Sequence, residues 1–281
     1  MSAEGVGILH PGAMGASIGA AARKSGRPVL WVSQGRSTDT RKRAERAGLE
    51  DAGSLGALAS RCGLLVSVCP PAYAVDVARQ VAGCGFAGLF VDANAVSPER
   101  AREAARTVEA AGARFVDGGV VGPPAWKEGT TRLYLSGPGA EEAAAVFDGS
   151  LVRAVVLDGP AGRASALKMT YAAYTKGTTA LVGAILAVAE REGVREALMQ
   201  EWSWSQPHLA DDAEARVRRT TAKAWRFVGE MREIAATFEA AGLPGGFHRA
   251  AETVYKRQAG FKGLADAPEL DQVLAAMLGG T

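Results

Sequence analysis

Short apolar runs rich in β-branched residues alternate with alanine-rich segments through the first half of the chain, and this alternation is what most constrains the fold. The runs predict strands at 6–9, 29–32, 64–68, 89–92, 115–117, 132–136 and 154–157. Strands that alternate with helices predict a parallel sheet covered on both faces. From about residue 162 the strand-like runs stop and helical patterns follow. We therefore expect an α/β domain at 1–161 and an all-α domain at 162–281.

Charge and cysteine content narrow the class of partner. The formal net charge is +2 and acids and bases are interspersed, which argues against a nucleic-acid or membrane-surface protein. Cys62, Cys69 and Cys84 lack metal-ligand spacing, so we expect reduced thiols, no metal and a cytoplasmic protein. The N-terminal segment lacks a signal-peptide pattern, and the apolar stretch 164–189 is interrupted by lysines and glycines. A small molecule is the expected partner.

The segment VGILHPGAMG, residues 6–15, runs from an apolar strand into a glycine loop and then a helix. In a Rossmann domain the glycines of this turn permit a tight bend and close approach of a dinucleotide pyrophosphate to the helix N-terminus. His10 replaces the first expected glycine, and Pro11 removes one amide donor. A Gly-rich turn without ligand is the plain alternative, but the strand, loop and helix order favours nucleotide binding. The predicted contact residues are His10, Pro11, Gly12, Ala13, Met14 and Gly15.

The end of the second strand indicates which nucleotide is bound. An NAD site places an acid there, whereas an NADP site offers arginine and hydroxyl groups. No acid precedes Asp39 in the segment after Trp31. Ser33, Arg36 and Ser37 are the predicted ligands of a 2′-phosphate, with Arg36 forming a charge-assisted fork. A solvated helix start is the alternative, and NADP is the expected cofactor.

Five blocks of sequence carry a resemblance to a known family: GILHPGAMG, LVSVCPP, VDANAVSPER, FVDGGVVGPPAWKEGTTRLYLSG and GRASALKMTYAAYTKG. In this order they resemble the β-hydroxyacid dehydrogenase superfamily, which includes 6-phosphogluconate dehydrogenase and the imine reductases. The last three blocks look most like a branch whose C-terminal domain has no assigned function. The resemblance implies a Rossmann domain, a helical domain that interlocks with its copy in a homodimer, and an active site between the domains.

Carried over by position, the resemblance also implies roles for single residues. Cys69 and Pro70 would lie beside the nicotinamide ribose, and Asn94 and Ser97 near the nicotinamide and the substrate. Lys168 matches the catalytic lysine of the family.

Lys168 has a chemical rationale of its own. Oxidising an alcohol needs a base for the hydroxyl proton, the reverse reaction needs an acid, and a partly buried lysine can serve as either. On a helix, Tyr171 and Thr175 would share a stripe with Lys168 and could orient substrate or relay a proton. A lysine that extends from a helix end to solvent is the structural alternative.

Two departures from the family pattern bear on the substrate. The family asparagine that follows the lysine by three to four residues is missing, and Val121 replaces the serine of the D-A-P-V-S-G-G block. Gly122 and Pro123 are instead expected to form a rigid backbone wall against the substrate. The leading hypothesis is NADP-dependent hydride transfer to or from a small polar, hydroxyacid-like alcohol or carbonyl compound, with Asn94 and Tyr171 assisting Lys168.

The sequence is also compatible with two other functions. One is reduction of a C=N bond by an imine reductase, and the other is a non-catalytic NADP-binding sensor. The sequence leaves undecided the direction of reaction and the roles of four residues in the helical domain: Glu230, His248, Trp202 and Trp204.

Overall fold

The computed structural model of the chain describes residues 4–264 and 266–279. The chain divides into two units, the first ending at Met169 and the second beginning at Thr170. The first unit therefore includes the opening turns of the helix Arg163–Arg191. The domain boundary predicted after residue 161 stays a prediction.

A sheet of eight strands forms the framework of the first unit, in the order β3-β2-β1-β4-β5-β6-β7-β8. All neighbouring strands are parallel except the antiparallel pair β6 and β7. The strands are β1 Gly5–Ile8, β2 Val29–Trp31, β3 Glu50–Asp51, β4 Cys62–Ser67, β5 Leu89–Asp92, β6 Arg114–Val121, β7 Thr131–Ser136 and β8 Val152–Leu157. The predicted Rossmann architecture is confirmed.

Helices cover both faces of this sheet: α1 Ala13–Ala22, α2 Thr38–Arg46, α3 Leu55–Arg61, α4 Ala74–Gly83, α5 Pro98–Glu109 and α6 Ala140–Ala145, followed by α7 Arg163–Arg191. Side chains alternate between the faces with the period of two that strands impose. Val66 and Val91 pack into one core with Ile18 of α1, whereas Leu65 and Phe90 pack into the other. Burial on both faces explains why the central strands are continuously apolar.

The carboxyl ends of the central strands are aligned. Ser67 pairs with Asp92, Asp92 with Asp117, and Asp117 with Ser136. Asp92 is the last residue of β5, but β6 continues past Asp117 to Val121. Residues 118–121 therefore extend beyond the edge at which open α/β sheets bind ligands.

The second unit is helical, as predicted. It contains the rest of α7, then α8 Arg195–Ser205, α9 Pro207–Thr220, α10 Ala224–Ala240, α11 Gly246–Arg257 and α12 Leu270–Leu278. Leu186, Val217 and Leu274 lie fully buried in its core. The helix α7 is long and apolar enough to cross a membrane by length and composition alone, yet 56% of its most apolar window is buried within the protein. Core helices of soluble proteins have the same property.

Candidate functional site

The corner between β1 and α1 leaves a helix N-terminus open. Gly12 is the N-cap of α1, and no side chain caps this helix. A methyl group on Gly12 would meet no atom within 4 Å, whereas one on Gly15 would overlap the carbonyl oxygen of His10. Gly15 is therefore required for the close packing of helix on strand, and Gly12 leaves room for a ligand. Both roles fit the predicted dinucleotide corner.

His10 and Arg36 each bury a polar atom without a hydrogen-bond partner, the Nδ1 of the histidine and the Nε of the arginine. Burial, with a smaller contribution from Arg36, lowers the pKa of His10 to about 4, so its imidazole is neutral at pH 7. Burial also lowers the pKa of Arg36. Since buried polar groups are normally paired, these two atoms mark a place where a ligand can supply the missing partners.

Both side chains line one cavity of about 220 Å³. Its walls come from the ends of β1 and β2 and from α4, among them Leu9, Val32, Val77 and Val81. An apolar cavity with a few polar groups, beside an open helix terminus, suits a planar base and its ribose. The residues present thus fit a dinucleotide.

A carboxylate that was not predicted from the sequence lies on the strand next to the end of β2. Asp51 ends β3, which pairs with β2, and its side chain accepts a hydrogen bond from the Gly53 amide at 2.7 Å. Hydrogen bonds from Ser33 and Gly53 and the charge of Arg41 lower its pKa in spite of the opposing cost of burial. Arg41 lies 3.7 Å from this carboxylate and also donates to the Ser33 carbonyl. The acid is thus engaged by the protein, and only the pairing of β2 with β3 reveals it.

Two serines predicted to bind ligand are helix N-caps. Ser37 accepts the Thr40 amide at the start of α2, at 3.3 Å, and is exposed. Ser97 accepts the Arg100 amide at the start of α5, at 3.4 Å, and is buried. Their ligand roles stay predictions.

The loops after β4 and β5 are joined by Asn94. Its Oδ1 accepts the Cys69 amide at 2.5 Å, and its Nδ2 donates to the Ser67 hydroxyl at 3.1 Å. Asn94 is 2% exposed, so its amide organises the loop that carries Cys69 and the exposed Pro70. Burial, and secondarily the charge of Asp92, raises the pKa of the Cys69 thiol to about 12, which keeps it protonated. Contact of Asn94 with nicotinamide or substrate stays a prediction.

Asp92 lies directly beneath this network. Its Oδ1 accepts the Asn94 amide at 3.1 Å, whereas its Oδ2 is buried without a partner. Burial, and to a lesser extent the charge of Asp117, raises the pKa of Asp92 to about 7. A large fraction of this carboxyl is therefore protonated at neutral pH.

Lys168 lies against the extension of β6. A Cβ built on Gly119 would lie 2.7 Å from the Ala164 carbonyl and 3.1 Å from the Lys168 Cβ, so glycine permits the close approach of α7. Gly119 lies two residues beyond Asp117, and Lys168 therefore lies past the carboxyl end of β5. Its side chain is partly buried.

The loop after β6 is held by two hydrogen bonds and contains a glycine in the left-handed region. Gly122 has a φ of 117°, which favours glycine, and the Pro123 carbonyl accepts the Thr131 hydroxyl at 2.7 Å. The Ala125 amide donates to the Ser17 hydroxyl of α1 at 2.9 Å, which ties this loop to the nucleotide corner. Gly122 and Pro123 are exposed, and their contact with substrate stays a prediction.

The remaining predicted residues lie in the second unit. Tyr171 is 46% exposed, and the Thr175 hydroxyl donates to the Tyr171 carbonyl within α7. Lys176 pairs with Glu230 and lies 4.4 Å from the centre of the Phe227 ring. The structure thus gives Glu230 an ion-pair partner that the sequence could not identify.

The sequence also left undecided the roles of three further residues of the second unit. His248 is buried, with its ring edge-on to Phe238 at 4.6 Å. Trp202 packs at the edge of the helical core, whereas Trp204 is 73% exposed. These surroundings indicate packing for His248 and Trp202, and nothing in the structure explains Trp204.

Comparison with known proteins decides the family. Residues 5–148 match the model described as the NAD binding domain of 6-phosphogluconate dehydrogenase, and residues 189–258 match a domain of unknown function, DUF1932. The chain belongs to this 6-phosphogluconate dehydrogenase-type family. The resemblance predicted from the sequence blocks is confirmed, including the C-terminal domain without assigned function, and the first domain is one that binds a pyridine nucleotide.

Similar proteins cover most of the chain. An uncharacterised 28.5 kDa protein of Methanothermus fervidus is 28% identical over 61% of this chain, a match that spans 66% of its own length. A conserved hypothetical protein of Sinorhizobium meliloti is 25% identical, with 99% and 97% of the two chains covered and a TM-score of 0.72.

Two enzymes share the fold at lower identity. The Mycobacterium tuberculosis 3-hydroxyisobutyrate dehydrogenase, solved with L-serine, is 16% identical over 98% of this chain and 99% of its own, with a TM-score of 0.72. An imine reductase of Streptomyces aurantiacus is 20% identical over 97% and 99%, with a TM-score of 0.53. The fold is thus that of pyridine-nucleotide oxidoreductases of the hydroxyacid dehydrogenase and imine reductase type.

Proposed function

We propose that this protein is an NADP-dependent oxidoreductase that moves a hydride between NADP(H) and a small polar alcohol or carbonyl compound. The observation that carries the proposal is the position of Lys168, whose Cβ lies against Gly119 of β6, beyond the carboxyl end of β5. This is the edge of the sheet on which the open corner of α1 also lies. A nucleotide domain and a candidate acid–base group thus meet at one edge.

The residues for the cofactor follow from the β1–α1 corner. The backbone at Gly12, Ala13, Met14 and Gly15 would hold the pyrophosphate at the uncapped N-terminus of α1. When bound, the nicotinamide supplies or accepts the hydride. The amine of Lys168 would take the proton of the substrate hydroxyl during oxidation and return it during reduction.

The preference for NADP rests on Arg36. Its guanidinium is partly buried and lines the nucleotide cavity; its Nη2 donates to the Leu9 carbonyl at 3.4 Å, whereas its Nε has no partner. The carboxylate of Asp51, on the strand that pairs with β2, is already engaged by Gly53, Ser33 and Arg41. An arginine with an unpaired buried nitrogen, together with an aspartate whose charge Arg41 already compensates, favours a 2′-phosphate over a bare ribose hydroxyl.

Titration with the two reduced cofactors tests the assignment. We expect NADPH to quench or shift fluorescence at lower concentration than NADH, and Arg36→Ala to weaken NADPH binding on the order of tenfold while NADH is unaffected. Lys42→Ala removes an exposed charge from α2, the helix that follows Arg36, and serves as the control. Equal binding of both cofactors by the wild type would remove the NADP assignment.

A panel of hydroxyacids, keto acids and cyclic imines tests the chemistry. Lys168→Ala should lower turnover on the order of 100-fold or more with cofactor affinity retained, whereas Lys24→Ala, at an exposed site, should not. Unchanged turnover in Lys168→Ala would rule out this lysine as the proton carrier. Absence of turnover across the panel in a protein that binds NADPH would favour the sensor.

Reduction of a C=N bond is the second candidate. The exposed phenols of Tyr171 and Tyr174 on α7 favour it, because a phenol can protonate an imine nitrogen. Turnover of the imines alone, lost in Tyr171→Phe or Tyr174→Phe, would select this function.

We also propose a homodimer. Its support is the apolar surface of α7 and the turn after it, where Leu181 is 44%, Val188 58% and Val194 50% exposed. Light scattering of Val188→Glu against the wild type tests it, and a wild-type monomer would contradict it.

A further inference from the structure

Asp117 is a buried carboxylate that accepts four hydrogen bonds. Its Oδ2 accepts the Ser136 hydroxyl at 3.0 Å and the amides of Gly162 and Ser165, each at 2.9 Å. Its Oδ1 accepts the Ser165 hydroxyl at 2.5 Å. The side chain is fully buried in the middle of β6. Burying a carboxylate costs desolvation free energy, and charge-assisted hydrogen bonds offset this cost by replacing its bonds to water.

Three of these donors belong to the beginning of α7. Ser136, the register partner of Asp117 on β7, also accepts the Ala164 amide at 3.1 Å. The amides of Gly162, Ala164 and Ser165 are therefore all satisfied by the β6–β7 pair, and a negative charge lies at the positive end of the helix. The first turn of α7 is fixed to the sheet.

Lys168 follows one turn later. Its backbone cannot turn away from β6 without breaking the bonds to Asp117, and Gly119 sets how closely the same strand is approached. We propose that Asp117 is a positioning residue that fixes the direction from which the Lys168 amine is presented. This rests on the proposed function, in which that amine is the acid–base group.

A second buried carboxyl provides a matched control. Asp92 is the register partner of Asp117 on β5, but its Oδ1 accepts the Asn94 amide and its Oδ2 has no hydrogen-bond partner. Replacing either aspartate with asparagine removes one buried carboxyl at the same level of the sheet. In Asp117→Asn the amide nitrogen would face N–H donors of α7, whereas in Asp92→Asn those donors are untouched.

The test is a spectroscopic signature of Lys168 in the full chain. Lysines are reductively methylated with ¹³C-formaldehyde, and the Lys168 resonance is assigned by its loss in Lys168→Arg. We expect Asp117→Asn to move this resonance to the position of the exposed lysines and to speed amide exchange at 162–165 on the order of tenfold or more. Asp92→Asn should leave both unchanged, and the double variant Asp117→Ser with Ser165→Asp, which returns a carboxylate to the same bond, should restore the resonance.

Other results would overturn the proposal. These are an unchanged resonance in Asp117→Asn, or an equal change in Asp92→Asn. If Asp117→Asn does not fold, Ser165→Ala decides: it removes one of the four donors, and a change confined to 162–168 supports the proposal, whereas no change overturns it. This measurement does not depend on turnover. If Lys168→Ala kept its activity, the proposed function would fail, and the effect of Asp117 on the Lys168 resonance could still be measured. With a substrate identified, Asp117→Asn should lower kcat and leave KM near that of the wild type.

Discussion

Two helices of the first unit begin near one edge of the sheet, and their N-termini are treated in opposite ways. At α1 no side chain caps the helix, and the corner is built of small residues around Gly12 and Gly15. At the start of α7 the backbone amides donate hydrogen bonds to the side chains of Asp117 and Ser136 on β6 and β7. The same exposed donors are left for a ligand in one helix and satisfied internally in the other.

The difference explains how one edge of the sheet can bind an exchangeable ligand and also hold the start of a helix in a fixed position. An uncapped terminus keeps its amides and its dipole for an anion that comes and goes. A terminus sealed by a buried carboxylate cannot bind such an anion, but it gives the following side chain a defined direction. The nucleotide corner and the helix that carries Lys168 therefore need different local chemistry.

The largest effect is expected from a substitution that disrupts the open β1–α1 corner. Gly15→Ala places a methyl group on the His10 carbonyl, a backbone atom that cannot step aside, and should cost more than about 3 kcal/mol of unfolding free energy. Gly12→Ala meets no protein atom and should change stability by less than about 0.5 kcal/mol. Urea denaturation measures both.

Cofactor binding separates the two glycines further. Gly12→Ala should fold normally and yet bind NADPH on the order of tenfold more weakly, because its methyl group would occupy the space that we propose for the pyrophosphate. Unchanged NADPH affinity in Gly12→Ala would mean that the open corner is not where the cofactor lies.

We expect stability to depend on pH through Asp92, the buried carboxyl next to Asp117 in the sheet. The pKa of Asp92 is raised to about 7 in the folded protein, from about 3.8 when unfolded, so the fold favours its neutral form. Its contribution is fully present below the unfolded pKa and is lost as pH rises toward 7, at up to roughly 1.4 kcal/mol per pH unit. Asp92→Asn should remove this dependence, so its stability relative to the wild type should be higher at pH 8 than at pH 4.

Thermal melts of both proteins across this pH range provide the measurement. His10 acts in the opposite direction, since its lowered pKa costs stability as pH falls from about 6.5 toward 4. It is present in both proteins and cancels in the difference. A difference between the two proteins that does not vary with pH would show that Asp92 does not titrate in this window.

The open β1–α1 corner could be predicted from the sequence, whereas the bonding of the start of α7 to Asp117 could not, for a physical reason. The strand, glycines and helix of residues 6–15 are contiguous, so their order alone indicates the turn. Asp117 belongs to the FVDGG block, yet its donors lie 19 residues further along the chain on β7 and 45 and 48 residues further along at the start of α7. Only the register of β6, β7 and the helix start brings them together.

The same reasoning explains the other omissions. The strand β3 has two exposed acidic residues and no apolar run, so periodicity could not predict it, and Asp51 escaped notice with it. The ion pair of Lys176 with Glu230 joins helices more than fifty residues apart. Strands with buried side chains were predicted well because burial on both faces leaves a continuous apolar run.

The smallest expected effect sharpens the comparison at a third helix, α2, whose N-terminus is capped by a single hydroxyl. Ser37→Ala removes that cap and should cost about 1 kcal/mol of unfolding free energy, because the Thr40 amide loses its acceptor. Ser37→Asp can still cap the helix, so stability should be retained, but its charge would repel a 2′-phosphate near Arg36. NADPH affinity should therefore fall in Ser37→Asp while NADH affinity holds. If NADPH binds Ser37→Asp as tightly as the wild type, the phosphate does not approach this terminus, and Ser37 serves α2 alone.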